Sequence, residues 1–139
     1  MWWLLVTTIC LSIGWNDLQH RVVKNKSVLL LAGILAFSIF LFDSKIHLIQ
    51  ASLVLISGMC LWKVGVFGAG DIKLASVFAI FIAPDYSLLV LFLMLVIGGV
   101  EALLYLLIRT TYPHLIRHGG IPFAIPIVIS GFFGISASI

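Results

Sequence analysis

Long apolar runs separated by short polar breaks fill this chain, and six apolar segments can be marked along it. They cover, approximately, residues 1–16, 28–42, 46–66, 72–83, 86–108 and 121–138. A membrane-crossing helix needs about 20 apolar residues, with a range of about 17–25, so six such helices use nearly the whole chain. Helices are favoured because an open sheet in lipid leaves backbone polar groups unsatisfied. We therefore predict an all-α polytopic membrane protein with six transmembrane helices. Residues 1–139 are expected to form one membrane-embedded domain, with no soluble domain.

Composition excludes an ordinary soluble domain. Hydrophobic residues make up 63% of the 139 residues and charged residues only 9%, whereas soluble domains carry about 25% charged residues. The net charge of +3 needs no nucleic-acid partner to explain it, because basic residues gather in the inner loops of membrane proteins. We therefore expect the protein to lie in membrane lipid and to bind no nucleic acid.

The basic residues predict how the chain is oriented. The first segment begins at Met1 without a basic stretch before it, and Arg21 follows it, the reverse of a cleavable secretory signal. We therefore expect a permanent first span with the N-terminus outside the inner (cytoplasmic) membrane. Seven of the eight basic residues then lie at the inner face, and these are Arg21, Lys24, Lys26, Lys63, Lys73, Arg109 and Arg117.

Two aspartates stand at the ends of apolar segments on that same predicted face. Asp17 closes the first segment and Asp71 opens the fourth. A carboxylate at bilayer depth costs about 2.5–3.5 kcal/mol even on insertion scales, so two of them in one plane need a reason. A pair of aspartates that shares one proton is the machinery of aspartyl hydrolysis. The alternative is that Asp71 only caps its helix and that Asp17 sits in solvent beside Arg21.

Two glycines precede Asp71. Gly68 and Gly70 lie in the sequence Gly-x-Gly-Asp, and glycine lets another chain approach the backbone closely. Such a stretch before a short helix is suited to holding a carboxylate against an extended peptide.

Three stretches of the chain resemble motifs of the type IV prepilin peptidases, which are GxGD intramembrane aspartyl peptidases. The stretches are GAGDIKL at 68–74, DLQHRVVKN at 17–25 and GIPFAIP at 120–126. The resemblance implies that Asp17 and Asp71 are the catalytic pair and that the substrate is a prepilin or prepilin-like helix. It also implies that a short basic leader is cut at the cytoplasmic face of the membrane, in support of pilus assembly and protein secretion. No cofactor is expected, and no metal either, because Cys10 and Cys60 lie in apolar segments without a histidine partner at ligand spacing.

The chain departs from the family pattern in two respects. Val23-Lys24-Asn25 stands where the family usually has Ile-Pro-Asn, so the turn after Asp17 is expected to differ. The cysteine-rich region of the long, bifunctional members is missing, so no N-methyltransferase activity is expected. The compact size resembles the short peptidases of tight-adherence (Flp-type) pilus systems.

Other polar residues have less specific interpretations. Lys73 either favours the ionised form of the aspartates or binds substrate, or it is an ordinary interfacial lysine. Glu101, inside the fifth segment, either contacts the basic leader or makes a structural hydrogen bond, and the second interpretation is favoured. Pro122 and Pro126 are expected to kink the last span or free its carbonyls.

Two functions from other classes stay open at this point. In a small proton or cation transporter or channel subunit, the acids inside the membrane would bind the ion. In a noncatalytic membrane scaffold, the altered Lys24 position would mark a degenerate peptidase. The oligomeric state does not follow from the sequence.

Overall fold

All regular structure in the part of the chain that the computed structural model describes, residues 1–65, 67–111 and 122–139, is α-helical. The helices are α1 (Trp2–His20), α2 (Asn25–Ala36), α3 (Ser38–Phe42), α4 (Leu48–Lys63), α5 (Ala69–Phe81), α6 (Pro84–Thr111) and α7 (Ala124–Ser138). Because only Phe37 separates α2 from α3, these two form one apolar stretch from Asn25 to Phe42. The described helices thus match the six apolar segments one to one, and the prediction of an all-α fold is confirmed.

Among the described residues, two helices are long and apolar enough to cross a membrane, and these are Asn25–Phe42 and Pro84–Thr111. Two further helices, Leu48–Lys63 and Ala124–Ser138, are apolar but shorter. The number of spans and the side on which the N-terminus lies stay predictions.

With α2 and α3 counted as one segment, successive helical segments run in opposite directions, as the contacts at the two ends of the bundle show. At one end the start of α7 contacts the end of α1, where the Ala124 amide donates to Asp17. At the other end the indole of Trp2 donates to the Ile34 carbonyl, and the Ala83 amide donates to Ser138. The first of these ends is called the site end below. Of the third predicted inner loop, 109–120, residues 112–120 lie outside the described residues, and with them Arg117.

Helix α7 is central to the packing, because α1, α5 and α6 all lie against it. Its buried side chains meet Phe78 of α5 and Leu31 and Leu35 of α2 in one apolar cluster. This cluster holds the first turns of α5 and α7 at the site end beside the last turn of α1.

The expectation that two prolines kink the last span is wrong. Helix α7 begins at Ala124, so Pro122 precedes it and Pro126 lies in its first turn. Backbone N–H groups of a first turn have no partner within their own helix, so proline costs little there. The two prolines fix where α7 starts rather than bend it.

Gly131 sets the distance between α7 and α5, and enlarging it is expected to destabilise the protein. A Cβ at this position would lie 2.5 Å from Cγ of Phe78, whose side chain is only 2% exposed. Overfilling a packed core costs about 1–3 kcal/mol, so Gly131→Ala should lower the melting temperature in detergent. Gly33→Ala is the matched control, since no atom lies within 4 Å of its added Cβ. Equal melting of the two variants would contradict this packing.

Candidate active site

Asp17 is buried, although it belongs to the last turn of α1. Only 5% of the residue is exposed, which shows that the interpretation of a solvated Asp17 was wrong. Its Oδ2 accepts a hydrogen bond of 3.1 Å from the amide of Ala124, the first residue of α7. A helix N-terminus carries partial positive charge, so α7 supplies a favourable site for this carboxylate. The motif that includes Pro122 and Phe123 therefore contributes to the site through its backbone.

Asp71 lies in the first turn of α5, three residues after the N-cap Gly68. Its carboxylate accepts a hydrogen bond from the Gly68 amide, in the manner of an acid in a capping box. The interpretation of Asp71 as a helix cap is therefore partly right, although the N-cap is Gly68. A Cβ on Gly68 would lie 2.9 Å from Asp71 Oδ2, so the first glycine of the motif gives this carboxylate its place.

Asp17 lies near enough to Asp71 for its charge to act on the carboxyl group of Asp71. Asp17 follows the apolar segment 1–16, and Asp71 precedes the apolar segment 72–83. Neither residue belongs to Asn25–Phe42 or Pro84–Thr111, the described helices long enough to cross a membrane. Burial, and next the charge of Asp17, raise the pKa of Asp71 to about 6, against the effect of the Gly68 amide. Burial also raises the pKa of Asp17, while the Ala124 amide and Arg21 act in the opposite direction.

The second glycine of the motif allows α5 to approach the segment after α1. A Cβ on Gly70 would lie 2.9 Å from Cβ of Val23, closer than side-chain atoms normally come. A hydrogen bond also joins α5 to the start of α2, because Lys73 Nζ donates to Asn25 Oδ1 over 3.2 Å. The stretches 17–25 and 68–74 are thus held against each other.

Lys24 keeps the backbone conformation that proline would impose. It is the N-cap of α2, with φ −71° and ψ 129°, and proline fixes φ near −65°. The expectation that the turn after Asp17 differs finds no support in this angle.

Glu101 and Arg21 complete the charged neighbourhood. The charges of Asp17 and Arg21 both act on Glu101, which α6 brings to the site end. Within the described residues neither Glu101 Oε2 nor Arg21 Nη1, both buried, has a hydrogen-bond partner. The structural hydrogen bond favoured for Glu101 is therefore not made by this oxygen. The guanidinium of Arg21 lies 5.2 Å from the centre of the Tyr105 ring.

Sequence reasoning missed Tyr105 and the Ala124 amide as members of this site, and it placed Arg21 beside Asp17 only as a neighbour in solvent. A spacing of four residues puts Arg21 on the face of Asp17, and the same spacing puts Tyr105 on the face of Glu101. That signal was available in the sequence. The role of the Ala124 amide could not be found from the sequence, because any residue other than proline offers the same backbone donor.

Aromatic rings cover the site between α5, α6 and α7. Phe67 and Phe123 meet edge to face, with 4.7 Å between ring centres. Gly98 leaves room for Phe123 against α6, since a Cβ there would lie 2.9 Å from the ring. The Phe of the third motif thus packs against Phe67 and against α6 at Gly98.

The two remaining acids lie at the opposite end of the bundle. Asp43, in the left-handed conformation with φ 53°, and Asp85, in the first turn of α6, belong to the opposite end, as expected for turn residues. Among the described residues no three His, Cys, Asp or Glu side chains are grouped to hold a metal ion. Cys10 and Cys60 are both free thiols.

Comparison with known proteins gives one match. The sequence profile of the type IV leader peptidase family matches residues 4–103, which include Asp17, Asp71 and Glu101. A comparison with curated proteins and one with solved structures found no match.

Proposed function

Because the chain belongs to the type IV leader peptidase family, we propose that it is an aspartyl endopeptidase that removes the leader peptide of prepilin-like substrates. The observation that supports this most is that α1 and α5 carry Asp17 and Asp71 to the same end of the bundle, where the charge of Asp17 acts on Asp71. Family membership supports a peptidase; the aspartic mechanism and the prepilin substrate are proposals.

The two carboxyl groups take different parts in the proposed reaction. The hydrogen bond from Ala124 stabilises the ionised form of Asp17, so this group accepts a proton from the attacking water. The raised pKa of Asp71 favours its protonated form, which polarises the scissile carbonyl. The pair then carries a single proton before each cycle, as in other aspartic peptidases.

Other site residues have supporting parts. Gly68 and Gly70 give the carboxyl groups room, as their contacts with Asp71 and Val23 indicate. Lys73 holds α5 to α2 through Asn25. Glu101, a third acid beside Asp17, binds a basic residue of the leader.

We propose that six helices span the inner (cytoplasmic) membrane, with the N-terminus outside and the site end at the cytoplasmic face. The described basic residues support this orientation, because every one of them except Lys45 lies at the site end. Those at the site end are Arg21, Lys24, Lys26, Lys63, Lys73 and Arg109. Basic residues favour the cytoplasmic side. A basic leader, whose charge is opposite to that of Glu101, then reaches the site from the cytoplasm.

The proposal includes cleavage without N-methylation and without a cofactor, as in the short peptidases of Flp-type pilus systems. It is tested with purified protein in liposomes that also contain a prepilin. Release of the leader supports the peptidase. Ion flux without cleavage would support a transporter or channel subunit, and binding without turnover in any lipid would support a scaffold.

Cleavage is expected to depend on pH through the shared proton. As the pH rises through about 6, the pKa of Asp71, the pair loses its proton and the protonated partner is no longer present. The value of kcat/KM should therefore fall on the alkaline side. Initial rates between pH 4 and 9 measure this, with circular dichroism to show that the fold persists. A rate that climbs steadily to pH 9 would contradict a one-proton pair.

Replacing Glu101 is expected to weaken binding of a basic leader. Glu101→Gln removes the charge but keeps the shape, so KM should rise about five- to seventyfold, as charge-assisted contacts of about 1–2.5 kcal/mol predict. A prepilin whose leader Lys and Arg residues are replaced by Gln is the control, and its KM should change little. An equal rise for both substrates would show that Glu101 acts on the fold rather than on the leader.

A further inference from the structure

Arg21 ends α1 in a backbone conformation that normally selects glycine. It is the C-cap of this helix, with φ 55° and ψ 32°, and its amide donates a 2.8 Å hydrogen bond to the Asp17 carbonyl. Among the described residues Asp43 is the other non-glycine residue with positive φ, and the short polar side chain of an aspartate tolerates that region. Arginine has no such compensation, so a left-handed arginine indicates that its side chain is needed at this place.

The side chain of Arg21 packs on α6. Its guanidinium carbon lies 5.2 Å from the centre of the Tyr105 ring, and this cation–π contact holds the charged head group. The Nη1 atom is buried and has no hydrogen-bond partner within the described residues. Its charge acts on two acids nearby, Asp17 and Glu101. Arg21 is thus held by an aromatic ring while its charge stays available to the carboxyl groups.

Arg21 differs from the other basic residues that the structure describes at the site end. Their side chains are all exposed, whereas that of Arg21 is half-buried, and solvent and salt weaken the action of an exposed charge much more than that of a buried one. The exposed residues are His20, Lys24, Lys26, Lys63, Lys73 and Arg109. Of these basic side chains, Arg21 is therefore the one whose charge acts most strongly on a buried carboxyl group.

The surroundings of the two aspartates are unequal. Two groups favour the ionised form of Asp17, and these are the Ala124 amide and the charge of Arg21. Burial and the charge of Asp17 disfavour ionisation of Asp71, and the Gly68 amide acts against them. Helix α7, which packs on α1, adds no ionisable side chain. A single proton shared by the two carboxyl groups therefore belongs on Asp71.

We propose that Arg21, held on the ring of Tyr105, is the positioning residue that keeps Asp17 ionised and so makes Asp17 the base of the reaction. This inference rests on the proposed function and adds the side chain that decides which aspartate carries the proton. It also explains why an arginine ends α1, although glycine would meet no steric cost there.

Arg21→Gly removes the charge at a position that suits glycine. The variant should insert and melt close to the wild type, because glycine adopts the left-handed conformation without steric cost. Without the charge, Asp17 keeps its proton to higher pH. The acid limb of kcat/KM for a prepilin should therefore move upward by about one pH unit, the smallest effect expected of a neighbouring opposite charge. An unmoved acid limb, or a rise in KM alone, would overturn the inference.

Two further variants separate the charge of Arg21 from its shape. Arg21→Gln removes the charge and should move the acid limb as Arg21→Gly does, whereas Arg21→Lys keeps a positive charge and should restore most of the wild-type profile. Lys63→Gln is the matched control, because it removes an exposed charge from the same end, and its profile should coincide with that of the wild type. A lysine variant as shifted as the glutamine variant, or an equal shift in Lys63→Gln, would overturn the inference.

Infrared spectra follow Asp17 without a substrate. The band of a protonated carboxyl group that is lost in Asp17→Asn belongs to Asp17, and it should persist to higher pH in Arg21→Gly than in the wild type. Equal midpoints in the two proteins would overturn the inference. A wild-type protein that cuts no prepilin, with the midpoints still separated, would instead remove the proposed function and leave the action of Arg21 on Asp17 in place.

Discussion

Asp17→Asn and Asp71→Asn are each expected to lower cleavage of a prepilin by about 10³-fold, within the 10²–10⁴-fold contribution of a general acid or base. An amide has nearly the shape of a carboxyl group but neither accepts a proton from water nor donates an acidic one. Because the reaction uses both functions at once, either substitution alone should suffice. The double variant should be hardly slower than the single ones, since residues that act as a unit are not additive.

The measurement is coexpression with a prepilin, followed by separation of the cut and uncut forms. Asp85→Asn is the matched control, because Asp85 lies in the first turn of α6 at the opposite end and should leave cleavage unchanged. Membrane insertion and melting of each variant show that the loss is chemical. Full processing by either Asn variant would remove the shared-proton mechanism.

Gly70→Ala is expected to reduce cleavage by roughly 10²-fold, the size of effect that a displacement of about 1 Å produces at a reacting centre. The added Cβ would lie 2.9 Å from Cβ of Val23, so α5 must move away from the segment that follows Asp17. The two carboxyl groups would then separate, although neither has been changed. The loss should appear mainly in kcat.

A second substitution tests whether the contact with Val23 is the cause. Val23→Gly removes the opposing Cβ, so the double variant Gly70→Ala/Val23→Gly should recover part of the lost activity. Gly99→Ala is the control, because no atom lies within 4 Å of its added Cβ. If Gly70→Ala were as active as Gly99→Ala, the close approach of these segments would have no part in catalysis.

The two motif aspartates could be found from the sequence, but their surroundings could not. Acids are scarce in so apolar a chain, and the alternation of six segments puts both at one end. The burial of Asp17 depends on α7, whose first amide lies 107 residues away along the chain. No local pattern contains that contact, and this is why a solvated Asp17 was a reasonable but wrong interpretation.

The glycines illustrate the same limit. The sequence predicted a close approach at Gly68 and Gly70, because glycine is the residue that permits one. It left open that Gly68 faces the carboxylate of Asp71 and that Gly70 faces Val23. The proline expectation for α7 was wrong for a related reason, since a proline in a first turn and one that kinks a helix look alike in sequence.

The sequence by itself determined that the chain is helical, where its helices begin and end to within a few residues, and which acids share an end. These properties follow from local composition, from the length of each apolar segment and from the polar residues that interrupt it. Only the tertiary structure decided that α7 buries Asp17, that Glu101 lies beside it, and that α4 and α6 leave a groove between them. The physical reason is that helices apolar on every face carry no stripe that marks which side packs against which neighbour.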